Sequence, residues 1–346
     1  MKKIQKFGKS FKSASKYFYR RLSESDSNFI KENKHKKLLL SSNFKNKQTC
    51  ILCENKLSLK CKVNTRFKEA LICSNCSHFQ VIQSLTQDYP FDQIEDINYE
   101  DTYPEIDSQS FNKRVEDLYK PKLNFLIEVL DAFKIKNKYL NLKWYEFGCG
   151  AGYFMKACQE NNINIYGEDS DQGLINIAKK NGVNKCFYSN NSLEKINQKT
   201  DSILCSFFTF EHIQSPRYLW NLLSKVKPGT ILYFSVPLFG FSTLYDCAST
   251  NHPTRIFDAY MHIQLYTLNS LEYIKKNYKF ETLGEWYFGQ DFEDVLFSII
   301  KPQKIYSENI YLKKLFENFK NSIDDFQQIL NKSKTADQVH LVWKKI

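Results

Sequence analysis

The chain has 346 residues, 42% of them apolar, and carries a net charge of +11. That size suits one large domain with a small one attached, and the absence of any run of about 18 apolar residues excludes a membrane-spanning helix. The charge is uneven: residues 1–48 hold 14 Lys/Arg and 3 Asp/Glu, while the rest of the chain holds 35 of each sign. A neutral body lacks the positive face used to grip a phosphate backbone, which counts against nucleic acid as a partner.

Residues 1–48 form a basic, serine-rich leader. Within it Ile4, Phe7, Phe11, Phe18 and Leu22 fall on one helical face among lysines and arginines. Two readings are open: a disordered tail, or an amphipathic helix through which residues 1–22 make peripheral contact with an anionic membrane surface. The lysines interrupt the apolar core that a secretory signal needs. Ten cysteines without such a signal point to a reducing, cytoplasmic compartment, with the leader allowing contact at the inner membrane face.

Residues 49–85 contain Cys50-Ile-Leu-Cys53 and Cys73-Ser-Asn-Cys76, two CxxC pairs 19 residues apart. Two such turns supply the four soft ligands of tetrahedral zinc, so Cys50, Cys53, Cys73 and Cys76 are expected to hold a structural zinc in a ribbon-like module. Cys61 and His78 lie nearby as spare ligands. Residues 86–113 are acidic and aromatic and read as a connector.

From residue 114 to the end the pattern is α/β. A helix over 114–133 precedes strands near 144–147, 163–166, 185–188, 202–208 and 231–236, with helices between most of them. This alternation predicts a mostly parallel sheet covered on both faces. A sixth strand is expected near 281–287, a helical insertion at about 290–332, and a last strand at 339–343.

The informative turn is Glu146-Phe147-Gly148-Cys149-Gly150-Ala151-Gly152, between the first strand and its helix. Glycines there let the backbone turn tightly and approach a ligand. The helix start presents amides and a positive dipole end. Glu146 suits a cofactor bearing an ammonium group and is a poor neighbour for a pyrophosphate, which favours S-adenosylmethionine over NAD. Asp169, 17 residues after Gly152, ends the second strand, where a carboxylate can accept both ribose hydroxyls. Its bland alternative is a helix N-cap.

The segments EFGCGAG, IYGEDSD, DSILCSFFTFEHI and LLSKVKPGTILYFSVP, in this order, resemble the class I S-adenosylmethionine-dependent methyltransferases over about residues 114–344. The resemblance implies a Rossmann-like seven-stranded sheet, six strands parallel and one antiparallel. It implies cofactor contacts at Glu146, Gly148, Gly150, Gly152, Asp169 and Phe207, the last beneath the sulfonium. With the cysteine module in front, the chain is similar to methyltransferases acting on sugars. That implies a small-molecule or saccharide acceptor, such as a sugar nucleotide or cell-envelope glycan precursor.

His212 and His262 are candidate bases for an acceptor that must lose a proton, and Glu211 is a candidate orienting group. Tyr245, Arg255, Tyr266 and Asp291 are candidates for the acceptor pocket. Two other readings stand beside this one: an RNA methyltransferase gripping its substrate with module and leader, and a non-catalytic zinc-scaffolded binding protein.

Overall fold

A computed structural model describes residues 2–8, 44–46, 48–58, 62–64, 69–81, 83–85, 108–135, 141–190, 202–248, 262–300 and 309–346. Its fourteen strands are numbered in chain order. The main sheet runs β1 (Ile4–Phe7), β13 (Phe280–Phe288), β14 (Gln338–Lys345), β11 (Ile231–Pro237), β10 (Ser202–Phe207), β7 (Lys143–Phe147), β8 (Ile165–Asp169), β9 (Cys186–Tyr188). Only β14 runs against its neighbours, lying between β13 and β11. Every residue of β10 and β11 is buried, as the near-continuous apolar runs of central parallel strands require.

Helices Lys120–Ala132, Tyr153–Glu160 and Gln172–Lys180 pack Leu126, Phe154 and Ile175 onto one face. Helices Pro216–Leu223 and Leu268–Asn277 pack Trp220 and Ile274 onto the other. Helices Asp291–Ile300 and Ile310–Lys332 occupy the insertion between β13 and β14.

The sheet has eight strands where seven were expected, and the leader is the reason. Ile4–Phe7 is not a helical turn; it pairs in parallel with β13, Ile4 opposite Gly284 and Phe7 opposite Tyr287. The edge of β13 supplies the backbone partners that a helix would find within itself. Lys3 reaches Glu285 at 2.7 Å, and the Trp286 indole donates to the Gly8 carbonyl at 2.7 Å. The remainder of the proposed helix, with Phe11, Phe18 and Leu22, lies outside the described residues, as do Cys61, Arg255 and most of the 86–113 connector.

In the cysteine region β3 (Lys62–Asn64), β4 (Glu69–Ile72) and β5 (Phe79–Val81) form an antiparallel sheet. Its fourth strand, β12 (Gln264–Leu265), comes from the α/β domain. A separate pair joins β2 (Phe44–Asn46) to β6 (Gln83–Leu85). Cys50, Leu52, Cys73 and Cys76 share one apolar cluster with Phe147, Leu219 and Tyr266. The cysteine region is thus built into the face of the larger domain.

Candidate active site

The C-terminal ends of β7, β8, β10 and β11 lie along one edge of the sheet, the edge where open α/β sheets bind ligands. Gly148, Gly150 and Gly152 all adopt left-handed backbone conformations, with φ of 68°, 52° and 75°. They are not equivalent. A Cβ at Gly148 would collide with Thr209, and one at Gly152 with Ala178 and Val183, whereas one at Gly150 would meet only Leu174 Cδ1 at 3.8 Å. Gly148 and Gly152 answer to packing; Gly150 borders open space.

Asp169 closes this turn from the side. Its carboxylate accepts from the Gly150 amide at 2.7 Å and the Asp171 amide at 2.9 Å. The cap of helix Gln172–Lys180 is Asp171, which accepts from Leu174 N at 2.9 Å, so Asp169 is not spent on capping. Burial raises the Asp169 pKa, against the pull of those amides.

Glu146, next to last in β7, is buried, and its Oε2 has no hydrogen-bond partner among the described residues. Burial pushes its carboxyl well above the usual range, opposed by the nearby Lys122 ammonium. Lys122 is a residue that sequence reasoning passed over. It is itself buried, its pKa pushed down to about 7 by burial and by Arg114. Its Nζ lies 4.2 Å from the ring centroid of Tyr119 and 5.0 Å from that of Phe207. The signal was there: Lys122 sits on the apolar stripe of its helix, four residues before Leu126 and seven before Val129. Phe207, at the end of β10, also packs against Phe154 at 4.6 Å and Tyr233 at 5.0 Å.

Glu211, His212 and His262 come together at the mouth beyond β10, from segments 50 residues apart. One ligand-type atom of each lies within 4.8 Å of the others. Glu211 is fully buried, and burial raises its carboxyl to about 8. His262 Nε2 stands 3.9 Å from Glu211 Oε1, and the two imidazole rings are 4.9 Å apart.

Gln264 pins both segments. Its amide donates to the carbonyls of Phe210 at 3.0 Å and Ile213 at 2.7 Å, on either side of Glu211-His212. Its Oε1 lies 2.7 Å from His78 Nε2. With the Gln264 nitrogen committed as donor, the His78 nitrogen donates, so His78 is a neutral core histidine tied to Gln264. Burial lowers its pKa to about 4.

The four cysteine sulfurs also lie within 4.8 Å of one another. The Cys50–Cys76 and Cys53–Cys73 separations are 3.6 and 3.5 Å, close to the edge of about 3.8 Å that Zn–S bonds of about 2.3 Å imply for a tetrahedron. The two turns repeat one pattern. Glu54 N donates to Cys50 O and Cys50 N to Asn55 O; Ser77 N donates to Cys73 O and Cys73 N to His78 O. Glu54 and Ser77 both take left-handed backbone, at φ 61° and 59°.

Two residues expected in an acceptor pocket are fully buried. Asp291 is fully buried and accepts from Ser242 N, Asp337 N and the Gln327 amide at 3.1, 2.9 and 3.0 Å. Tyr266 is fully buried, its ring 5.3 Å from that of His78. Tyr245 is half-buried on helix Phe241–Ala248.

A family model described as a methyltransferase domain matches residues 111–284, just over half of the chain. No curated protein matches it. Among solved structures, an S-adenosylmethionine-dependent methyltransferase from Archaeoglobus fulgidus is 16% identical, with 63% of this chain and 93% of that one covered, at a TM-score of 0.40. The plantazolicin methyltransferase BamL is 17% identical, with coverage of 70% and 92% and a TM-score of 0.41. Phosphoethanolamine N-methyltransferase 2 of Haemonchus contortus is 11% identical, with coverage of 82% and 70% and a TM-score of 0.41.

Proposed function

The chain belongs to the methyltransferase-domain family of S-adenosylmethionine-dependent enzymes, and we propose that it methylates a small-molecule acceptor, a saccharide such as a sugar nucleotide or cell-envelope glycan precursor. The observation that carries the donor half is the turn at Gly148–Gly152: open space at Gly150, Asp169 bonded to the Gly150 amide, and an unpartnered buried oxygen on Glu146. These residues fit the cofactor. Asp169 would accept from ribose hydroxyls, Glu146 would pair with the ammonium of the methionine moiety, and Phe207 would flank the sulfonium end. S-adenosylmethionine supplies an electrophilic methyl group together with its leaving group. The protein's work is to align the acceptor and exclude water.

Glu211, His212 and His262 are assigned to the acceptor end, where they orient the acceptor and handle its proton. The saccharide assignment is supported by the sequence likeness to sugar methyltransferases and by the neutral body of the chain.

Zinc is assigned to Cys50, Cys53, Cys73 and Cys76. Four cysteine ligands leave no open position, so the ion is structural and contributes folding energy. Its reach extends further through Cys76, Ser77 and His78 to Gln264, which brackets the acceptor end. The leader's lysines add contact with anionic lipid.

Calorimetry with S-adenosylmethionine and with NAD tests the donor half. Transfer of labelled methyl from S-adenosylmethionine to a panel of sugar nucleotides tests the acceptor class. Transfer to RNA but to no sugar would overturn the saccharide reading.

A further inference from the structure

The acceptor end contains a carboxylate that its surroundings do not explain. Glu211 is fully buried, and among the described residues neither of its oxygens has a hydrogen-bond partner. Its approach to His262, at 3.9 Å, is too long for a hydrogen bond. A buried carboxyl without partners stays neutral unless a cation joins it; a charged one is paired or coordinates a metal.

Two imidazoles flank it. His212 follows it directly, and His262 arrives from the segment before β12. The three donor atoms lie within 4.8 Å of one another. We infer that Glu211, His212 and His262 form a second metal site, separate from the four cysteines, that takes a divalent transition-metal ion.

Three features support the ion site. The donor set, two imidazoles and one carboxylate, suits ions of the zinc and iron(II) type and leaves coordination positions open. One pair is already near bonding geometry: bonds of about 2.1 Å in a tetrahedron place donors about 3.4 Å apart, so the Glu211–His262 pair would close by about 0.5 Å, while His212 lies within 4.8 Å of both. The backbone is already fixed, because Gln264 holds the carbonyls on both sides of Glu211-His212 and lies two residues from His262.

The carboxylate is buried while both histidines are half-buried, so the histidine side of the site is the one nearer solvent. An ion there would recruit an acceptor through oxygen donors, such as neighbouring hydroxyls of a saccharide. That last step rests on the reading of this end as the acceptor side; the ion site does not.

The test is zinc content of the full chain, loaded with Zn²⁺ and desalted without chelator. The wild type should hold two equivalents. Glu211→Gln and His262→Gln should each lose one and keep S-adenosylmethionine binding, which shows that they fold. Cys73→Ser should lose at least the thiolate-bound equivalent. Cobalt loading separates the two: the thiolate-to-metal absorption should persist in Glu211→Gln and vanish in Cys73→Ser. A wild type holding one equivalent, unchanged in Glu211→Gln and His262→Gln, would overturn the second site while leaving the methyltransferase reading intact. Failure to bind S-adenosylmethionine, with two equivalents still held, would do the reverse.

Discussion

At the donor end of the cleft all the key polar atoms come from one stretch, Glu146 to Asp169, with Phe207 of β10 beside them. They are held by backbone hydrogen bonds across adjacent strands: Gly148 N and Cys149 N both donate to Glu168 O, and Gly150 N donates to Asp169. At the acceptor end Glu211, His212 and His262 meet only because Gln264, itself braced by His78 of the cysteine region, holds two distant segments together. On the proposed assignment, the donor site rests on local turn chemistry while the acceptor site hangs on a long-range brace. Damage to the brace should therefore cost turnover far more than cofactor affinity.

The sharpest way to break that comparison is Cys73→Ser. Loss of the metal should loosen Ser77 and His78, release Gln264, and misplace the acceptor groups. A misplacement of about 1 Å can cost about 100-fold in rate. Methyl transfer should fall by about that factor, while calorimetry should find S-adenosylmethionine affinity changed less than about threefold. Equal losses in both would mean that the two ends are not separable.

The donor end should respond in the opposite sense. Gly150→Val puts a branched side chain on a backbone at φ 52° and fills the open space. Strain of about 1–3 kcal/mol plus the filled space should weaken cofactor binding at least about 100-fold. Asp169→Ala removes an acceptor for two backbone amides and for the ribose. Bonds to a charged group contribute about 1.5–3 kcal/mol, so roughly 10- to 100-fold in affinity is expected, with zinc content unchanged.

The two ends also differ in how far they could be read from sequence. The glycine turn, Asp169, and the strands near 281–287 and 339–343 were legible because period and turn chemistry are local. The strand β1 was not, because Ile4 and Phe7, three apart, satisfy a helical stripe as well as they do an edge strand. Only the distant edge of β13 decides between them. Gln264 gave no signal, because a glutamine acquires its role from the three groups it meets. The full burial of Asp291 and Tyr266 was illegible for the same reason: a polar residue near the mouth is equally suited to a buried packing knot.

Lys122 offers a smaller test. Its folded pKa, about 7, lies below the ordinary lysine value of about 10.4. Between those pH values the unfolded chain binds the proton and the folded chain does not, so stability from this group rises with pH across that window. The penalty is full below pH 7. Arg114, Glu146, Tyr119 and His340 are the polar and charged groups around it. Lys122→Met should flatten the wild-type slope of denaturation midpoint against pH between about 7 and 10. An unchanged slope would place the ammonium in water.

The smallest expected effect belongs to the leader. Each basic side chain near anionic headgroups contributes about 1 kcal/mol, so the full chain should co-sediment with anionic vesicles and release at high salt. Charge-reversal of Lys9, Lys12 and Lys16 should leave it in the supernatant; identical sedimentation of the two would remove the membrane reading.

The central claim, that this cleft is a methyl-donor site, is tested most directly by titrating the wild-type chain with S-adenosylmethionine and with NAD in the calorimeter. One saturable site for S-adenosylmethionine and none for NAD is the predicted result. Binding of NAD with no heat from S-adenosylmethionine would contradict it.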